Sequence, residues 1–236
     1  EPKGQRVGVN VLFRALLVVV LGSLLGEWLG IRGLLGDLWF WLGHQGSEYL
    51  DLGRLWQVLL AVGLVLWLFL MFRALRPAMK VAERSELASL FLYSAAAIPL
   101  FYLPALFYGP HTNFAVIDNW RFWIIHLWVE GFLELFATVL VATMFHQMGL
   151  VSPTTATRVT YLDAILYLGA GIVGTGHHWY FTGQGTLNMG LPSAFSAMEV
   201  VPLTLLTLDA WDFVKIKDRP CADCGQGFAG GQMWAI

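Results

Sequence analysis

The chain is organised around the stretch WRFWIIHLWVEGFLELFATVLVATMF, residues 120–145. This stretch is long and apolar enough to cross a lipid bilayer as one helix, which takes about 20 residues. Past the first turn, its only ionisable side chains are His126, Glu130 and Glu134. Positions four apart lie on one face of a helix, so the three side chains form one stripe. Because a charge at the bilayer centre costs at least ~2.5–3.5 kcal/mol, this stripe predicts a functional site.

The composition is typical of a polytopic membrane protein. Of 236 residues, 57% are hydrophobic and only 13% are charged. Aromatic residues cluster near the ends of the apolar runs, as they do at the headgroup boundary of a bilayer. The sequence has no block of basic residues that would predict a nucleic-acid partner. The expected surrounding is the lipid bilayer. The chain is expected to be a fragment, because it starts without Met and stops within what looks like a new apolar run.

Six apolar segments predict an all-α membrane bundle that forms part of a larger fold. Each is long enough to cross a hydrocarbon core of about 30 Å. They lie near residues 9–29, 55–75, 87–108, 120–146, 159–181 and 194–214. The run at residues 34–42 is too short to cross and is expected to form a re-entrant or surface helix. A hydrophilic loop or tail, residues 215–236, is expected to lead to a missing helix.

Lysine and arginine are distributed unevenly over the connections between these spans. Only Arg32, Arg54 and Arg121 fall on one side, and the rest of the 14 Lys and Arg fall on the side of the N-terminus. By the positive-inside rule, the N-terminus and the C-terminal tail are predicted to be cytoplasmic, as are the loops at residues 76–86 and 149–158.

This topology places several polar side chains at a similar depth. The fourth span enters from the outside, so His126 is expected ~9 Å and Glu130 ~15 Å below its start. His177 and His178 fall near the outer end of the fifth span, and Glu199 falls near the start of the sixth. All five side chains are therefore expected in the outer half of the membrane.

Three imidazoles and a carboxylate at one depth form a natural ligand set for a first-row transition metal. Imidazole suits iron, copper and zinc, and a hard carboxylate favours iron. The candidate nitrogen ligands are His126, His177 and His178. Adjacent residues of a regular helix diverge by ~100°, so His177 and His178 can both point inward only where the helix loosens. The glycines at residues 169–176 lower the free-energy cost of such a departure from helical geometry.

The two cysteines, Cys221 and Cys224, form a C-x-x-C motif in the hydrophilic tail. A single motif of this kind is half of a zinc site, and the other half is absent from this sequence. The favoured interpretation is a solvated loop with two incidental thiols on the reducing side of the membrane.

Four runs resemble the large catalytic subunit of bacterial nitric oxide reductase, within the heme–copper oxidase superfamily: WIIHLWVEGFLELFATV, GIVGTGHHWYFTG, FSAMEVVPL and FWLGHQGSEYLDLGRLWQ. The resemblance extends from about Leu34 to Asp212. It implies a multi-pass protein of the bacterial inner membrane. The DAWD end, followed by the C-x-x-C motif, is closer to the quinol-dependent, single-chain branch than to the cytochrome c-dependent branch.

The resemblance implies that a non-heme iron is bound by His126, His177 and His178. Glu130 is implied as a further ligand or close neighbour of that iron. The iron would face a heme b, whose axial ligands are expected outside this chain, because every membrane-depth histidine is already assigned to the iron. The remaining helices of the full-length protein are therefore expected partners.

Three further carboxylates resemble residues of the same family. Glu199 resembles a glutamate beside the iron that is linked to proton supply or electrostatics, and Glu134 resembles another glutamate of that region. Both are the candidate catalytic proton donors. Glu48 resembles a carboxylate that supports a calcium ion near the heme propionates in the cytochrome c-dependent branch.

The function implied is the reduction of nitric oxide in a denitrifying respiratory chain, 2 NO + 2 e⁻ + 2 H⁺ → N₂O + H₂O. Quinol or cytochrome c would be the electron donor. Many dioxygen-reducing relatives read H-P-E-V-Y where this chain reads H-L-W-V-E, residues 126–130. The carboxylate of Glu130 thus replaces a phenol that takes part in splitting dioxygen, which favours nitric oxide as the substrate.

Three alternative functions remain. A terminal oxidase of the same superfamily is disfavoured by Glu130. A metal-ion or proton transporter predicts more acidic residues in the cytoplasmic half, where little is found beyond Asp163, which is expected at the interface. A membrane di-iron oxygenase would need more histidines than the 6 in this chain.

Overall fold

The structure, a computed structural model, describes residues 2–80 and 86–215. The C-x-x-C motif, the tail from residue 216 onward and part of the predicted loop at residues 76–86 lie outside the described residues. Helices dominate the described part of the chain, and its only β interaction is an isolated antiparallel bridge between His44 and Leu52. The all-α fold predicted from the sequence is therefore confirmed.

The helices follow one another with short connections. The α-helices are α1 (Gln5–Ile31), α2 (Trp39–Leu42), α3 (Arg54–Met79), α4 (Glu86–Tyr102), α5 (Phe114–Phe122), α6 (Glu134–Gln147), α7 (Pro153–Gly174), α8 (Thr186–Met198) and α9 (Val200–Lys215). Helices of 3-10 type cover Gly36–Leu38, Leu103–Leu106 and Thr175–Thr182. A π-helix, Trp123–Leu133, connects α5 to α6.

Five helical stretches of the described chain are long and apolar enough to cross a membrane. They are Gln5–Ile31, Arg54–Met79, Glu86–Leu106, Phe114–Gln147 and Thr186–Trp211. These stretches correspond to five of the six predicted spans. Helix α7 occupies the position of the remaining span with 22 residues but is not among them. The membrane bundle is thus supported, while the six crossings and their orientation stay predictions.

The chain divides into two compact units, Glu1–Leu133 and Glu134–Ile236. In the first unit α3 packs against α1 and α4, and α4 packs against the π-helix. In the second unit α7 packs against α6, α8 and α9.

The core of the first unit lies where the short helix α2 meets α3, the end of α4 and the π-helix. Its buried members are Phe40, Leu50, Ala61, Tyr102, Ala105, Tyr108 and Ile124. The predicted surface or re-entrant segment at residues 34–42 is present as a 3-10 turn followed by α2. Phe40 of this segment is buried, whereas Trp39 and Trp41 remain exposed. The segment is therefore anchored by one aromatic side chain and leaves the other two available to lipid.

A buried arginine ties the first unit together. The guanidinium of Arg54, which is 7% exposed, donates hydrogen bonds to the carbonyl oxygens of Ala105, at 3.0 Å, and Tyr108. It also lies over the rings of Phe40 and Tyr108, at 5.2 and 4.7 Å from their centroids. Arg54 thus holds the start of α3 against the 3-10 helix Leu103–Leu106 and the connection that follows it.

The phenol of Tyr108 extends this polar network. It accepts a hydrogen bond from Gln57 Nε2 at 3.1 Å and donates to Gln45 Oε1 at 2.5 Å. Burial raises the pKa of Tyr108 above its usual value, and the charge of Asp51 acts in the same direction. The hydrogen bond from Gln57 and the charge of Arg54 oppose this rise in the pKa. The phenol therefore stays protonated at neutral pH and remains a hydrogen-bond donor.

Glycine is required where α1 approaches α2. A Cβ atom at Gly26 would lie 1.8 Å from the carbonyl oxygen of Leu42, an atom that also accepts a hydrogen bond from Trp56 Nε1. The variant Gly26→Ala is expected to lower the free energy of unfolding by about 1–3 kcal/mol, as overpacking does. Thermal unfolding of the purified protein measures this effect.

The matched control is Gly63→Ala in α3, where the nearest atom to a new Cβ would be Leu16 Cδ2 at 3.6 Å. Alanine there is expected to be neutral or to stabilise the helix by about 0.5–1 kcal/mol. Equal melting temperatures for the two variants would contradict the close approach of α1 and α2.

Candidate metal centre

The first pair of candidate ligands lies on the π-helix. The sequence predicts an ordinary helix through residues 120–146, but Trp123–Leu133 has π-type hydrogen bonding. Such segments are rare and are often found at functional sites. Gly131 suits this segment, because a Cβ there would lie 3.3 Å from the carbonyl oxygen of His126, which is a tight contact.

Within this segment His126 and Glu130 are in direct contact. Nδ1 of His126 lies 3.0 Å from Oε2 of Glu130, which is hydrogen-bonding distance. The imidazole is 2% exposed, whereas the Glu130 side chain is 30% exposed. A carboxylate that accepts a hydrogen bond from one ring nitrogen fixes the orientation of the imidazole and makes the other nitrogen a better metal ligand.

The second pair lies where α7 gives way to a 3-10 helix. Helix α7 ends at Gly174, and His177 and His178 follow within Thr175–Thr182. Their ring centroids are 4.1 Å apart, and the backbone of Trp179 departs from helical angles. The α-helix therefore ends before the histidine pair, and the two rings lie side by side.

A close approach to α8 explains the glycine that precedes this pair. A Cβ at Gly176 would lie 2.9 Å from Pro192 Cγ and 3.1 Å from the carbonyl oxygen of Asn188. Only glycine lets the 3-10 helix pack this closely against α8.

His126 and Glu130 of the first unit, and His177 and His178 of the second, can each offer one ligand atom to a metal ion. The chemistry of the group, imidazole nitrogen and carboxylate oxygen, suits a first-row transition metal. The residues therefore fit the metal that the sequence predicts, and the group could hold a metal ion. Their chemistry is compatible with iron, copper and zinc alike.

The two candidate proton donors lie outside this four-residue group. Glu134 begins α6 and accepts a hydrogen bond from the hydroxyl of Tyr167. Glu199 is the C-terminal cap of α8, and its backbone N–H donates to the carbonyl oxygen of Ser196 at 3.1 Å. Both carboxylates remain candidates by position, and Tyr167 is a partner that the sequence analysis did not identify.

The environment of Asp163 is not evident from the sequence. It is expected at the membrane interface, but its side chain is 1% exposed and packs inside the second unit. Its carboxyl lies close to the buried Thr138 of α6. The signal in the sequence is an acidic residue within the apolar run at residues 159–181.

Glu48 lies in a different setting from the metal group. It is 66% exposed and pairs with Arg121 at 3.5 Å, and Arg121 also binds Asp118 at 2.9 Å. Calcium takes six to eight oxygen ligands, and a neighbouring guanidinium disfavours a second cation. Arg121 thus already neutralises Glu48, and the calcium ion implied by the resemblance stays a prediction.

The heme b implied by the resemblance also finds no ligand among the described residues outside the metal group. His44 lies in the connection that bridges to Leu52, and His111 lies in the turn before α5. His146 lies at the end of α6. The expectation that the axial ligands come from helices outside this chain stays a prediction.

Two comparisons with known proteins define the family. The chain matches the family described as Cytochrome C and Quinol oxidase polypeptide I over residues 2–221. A subunit of the nitric oxide reductase of Stutzerimonas stutzeri is 27% identical to it over 154 residues, which cover 65% of this chain and 31% of that protein. The chain therefore spans less than two thirds of the length of this curated relative. The match over most of its residues shows that the chain belongs to the cytochrome c and quinol oxidase polypeptide I family, within the heme–copper oxidase superfamily.

Proposed function

We propose that this chain forms the non-heme iron part of a respiratory nitric oxide reductase. The observation that carries the proposal is the contact between Glu130 and His126 within the four-residue metal group. Dioxygen-reducing relatives that read H-P-E-V-Y have a tyrosine at the position of Glu130. Here a carboxylate holds that position, and its hard oxygen favours iron over copper. The 27% identity to a protein of a nitric oxide reductase supports the same assignment.

The proposed iron is held by His126, His177 and His178, with Glu130 as a ligand or as the residue that orients His126. When bound, the iron supplies a redox-active Lewis acid beside the heme. The heme itself is expected on helices contributed by the rest of the protein. Residues that hold the iron in a fixed place would let two nitric oxide molecules bind close together, which would lower the entropic cost of their encounter.

The protein groups control water and protons at this centre. Ile124 and Ile125 are buried next to His126 in the sequence, and an apolar surrounding of this kind limits the access of water. Two protons are consumed for each N₂O formed. Glu134 and Glu199 are proposed to deliver them, and the hydroxyl of Tyr167 holds the Glu134 carboxylate in position.

The cellular setting belongs to the same proposal. The protein is proposed to lie in the bacterial inner membrane as a multi-pass protein, with its N-terminus in the cytoplasm. Electrons would come from quinol or cytochrome c in a denitrifying respiratory chain. The family match itself favours a second candidate function, reduction of dioxygen, because the family is described as an oxidase.

Gas-consumption assays on the protein purified from membranes with its hemes separate the two functions. With a reduced electron donor, nitric oxide is expected to disappear and one N₂O to form for every two NO. Oxygen uptake under the same conditions is expected to be much slower. Brisk oxygen uptake without nitric oxide turnover would reverse the assignment.

A further inference from the structure

We infer that Asp163 is a proton-relay residue for Glu134. The relay comprises Glu134, Thr138, Asp163 and Tyr167, which we term the polar ladder. This inference rests on the proposed function, because it supplies protons to a residue that is proposed to deliver them to nitric oxide.

The polar ladder is a regular feature of the packing between α6 and α7. One contact is the hydrogen bond from the Tyr167 hydroxyl to Glu134, and one turn away along each helix Thr138 lies close to Asp163. Glu134 and Thr138 are four residues apart on α6, and Asp163 and Tyr167 are four residues apart on α7. Because α6 and α7 pack side by side, a step of one turn along each helix leads from one contact to the next.

Burial distinguishes Asp163 from an ordinary structural polar residue. Asp163 is 1% exposed, and its Oδ2 atom is buried without a hydrogen-bond partner in the described part of the chain. Burying an ionised carboxylate with an unpartnered oxygen costs more than burying the neutral, protonated carboxyl. A carboxyl in this position is therefore suited to storing a proton.

Thr160 shows what a purely structural polar group looks like on the same helix. It is fully buried, and its hydroxyl donates to the carbonyl oxygen of Ala156 within α7 at 2.9 Å. Its hydrogen-bonding capacity is used inside its own helix. Asp163 instead reaches across to α6.

The environment defines the direction of the relay. Beyond Asp163, towards the connection between α6 and α7, the buried hydrophobic residues of the two helices include Ala142, Phe145, Ala156 and Val159. Towards the other end lie Glu134 and Tyr167, and Asp163 interacts electrostatically with both. The polar partners that can take a proton from Asp163 therefore lie on the Glu134 side.

The proposed transfer conserves protons and involves no electrons. The Asp163 carboxyl gives its proton to the Thr138 hydroxyl as that hydroxyl releases its own proton towards the Glu134 carboxylate. Thr138 is unchanged at the end, Asp163 is ionised and Glu134 is protonated. One helical turn is about 5.4 Å, a distance that a single bridging water can span.

The test replaces Asp163 by asparagine in the protein purified from membranes. Asp163→Asn keeps the size and shape of the side chain beside Thr138 but cannot donate a carboxyl proton. Nitric oxide turnover is expected to fall by at least about tenfold with unchanged iron content. Thr160→Val, at an equally buried site outside the polar ladder, is expected to keep normal turnover. Normal turnover in Asp163→Asn would overturn the inference.

A second measurement does not depend on turnover. Reduction of the wild-type protein is expected to change a carboxyl C=O stretch in difference infrared spectra, and ¹³C-labelled aspartate is expected to shift that band. The band should be absent from Asp163→Asn. A purely structural Asp163 gives no such band, and its absence from the wild-type spectrum would overturn the inference. If the wild-type protein consumes no nitric oxide, the proposed function fails, and the infrared band still decides the role of Asp163.

Discussion

Replacing His126 by alanine is expected to abolish nitric oxide reduction in a protein that still folds. His126 is the most deeply buried member of the four-residue group and the partner of Glu130. Its loss removes a nitrogen ligand and leaves the Glu130 carboxylate without its contact to the imidazole. Loss of an outer-shell partner costs roughly 10–100-fold in metal affinity or activity, and loss of a direct ligand is expected to cost more.

Metal analysis and turnover of His126→Ala, measured on the same preparation, test this prediction. Non-heme iron is expected to be missing, while heme content stays unchanged. His146→Ala is the matched control, because His146 lies in the last turn of α6 and outside the metal group. Retention of both iron and turnover in His126→Ala would show that this imidazole is not a ligand.

Replacing Arg54 by methionine is expected to cause the largest loss of stability in the first unit. Arg54 is buried and donates to the carbonyl oxygens of Ala105 and Tyr108. Methionine fills a similar volume but leaves both oxygens without these donors. An unsatisfied buried acceptor costs about 1–3 kcal/mol, so the two together are expected to cost about 2–6 kcal/mol.

Thermal unfolding of Arg54→Met, compared with Arg121→Met, measures this effect. Arg121 is also paired, with Glu48 and Asp118, but its side chain is 21% exposed. Surface ion pairs contribute about 0–1 kcal/mol, so Arg121→Met is expected to unfold almost like the wild-type protein. Similar shifts for both variants would mean that the Arg54 network does not hold α3 against the segment that follows α4.

The fold class follows from the composition and from the length of the apolar segments alone. A run such as residues 120–145 has one stable form in lipid, a helix that satisfies its own backbone hydrogen bonds. The type of helix is less predictable. Most residues of this run are apolar, so the run has no hydrophobic periodicity that could distinguish a π-helix from an α-helix. The π-helix at Trp123–Leu133 therefore could not be predicted from the sequence. The contact between His126 and Glu130 is nevertheless consistent with the predicted spacing of four residues.

The ligand candidates were accessible to sequence analysis because ionisable groups are costly in an apolar segment. Histidine and glutamate stand out against the residues around them, and the glycines before His177 indicate where a helix can loosen. The close approach of Gly176 to Asn188 and Pro192 was not accessible, because it depends on how the 3-10 helix packs against α8.

Burial was the property that the sequence indicated least well. Arg54 counts as one of the few positive charges on the outer side, yet the structure buries it under carbonyl oxygens and aromatic rings. Asp163 is expected at an interface, yet it packs against Thr138. In both cases the residues that bury the charged side chain belong to a different helix or connection. Neither hydropathy nor residue spacing identifies those residues.

The central claim is an iron held by three imidazoles, with the Glu130 carboxylate as a further ligand or as the partner of His126. Anomalous scattering at the iron edge tests it most directly. In crystals of the protein with its hemes, a peak separate from the heme irons is expected within about 2.0–2.2 Å of His126, His177, His178 and an oxygen of Glu130 or a neighbouring oxygen donor. A peak at the copper edge instead, or no peak with the four side chains facing away from one another, would contradict the claim.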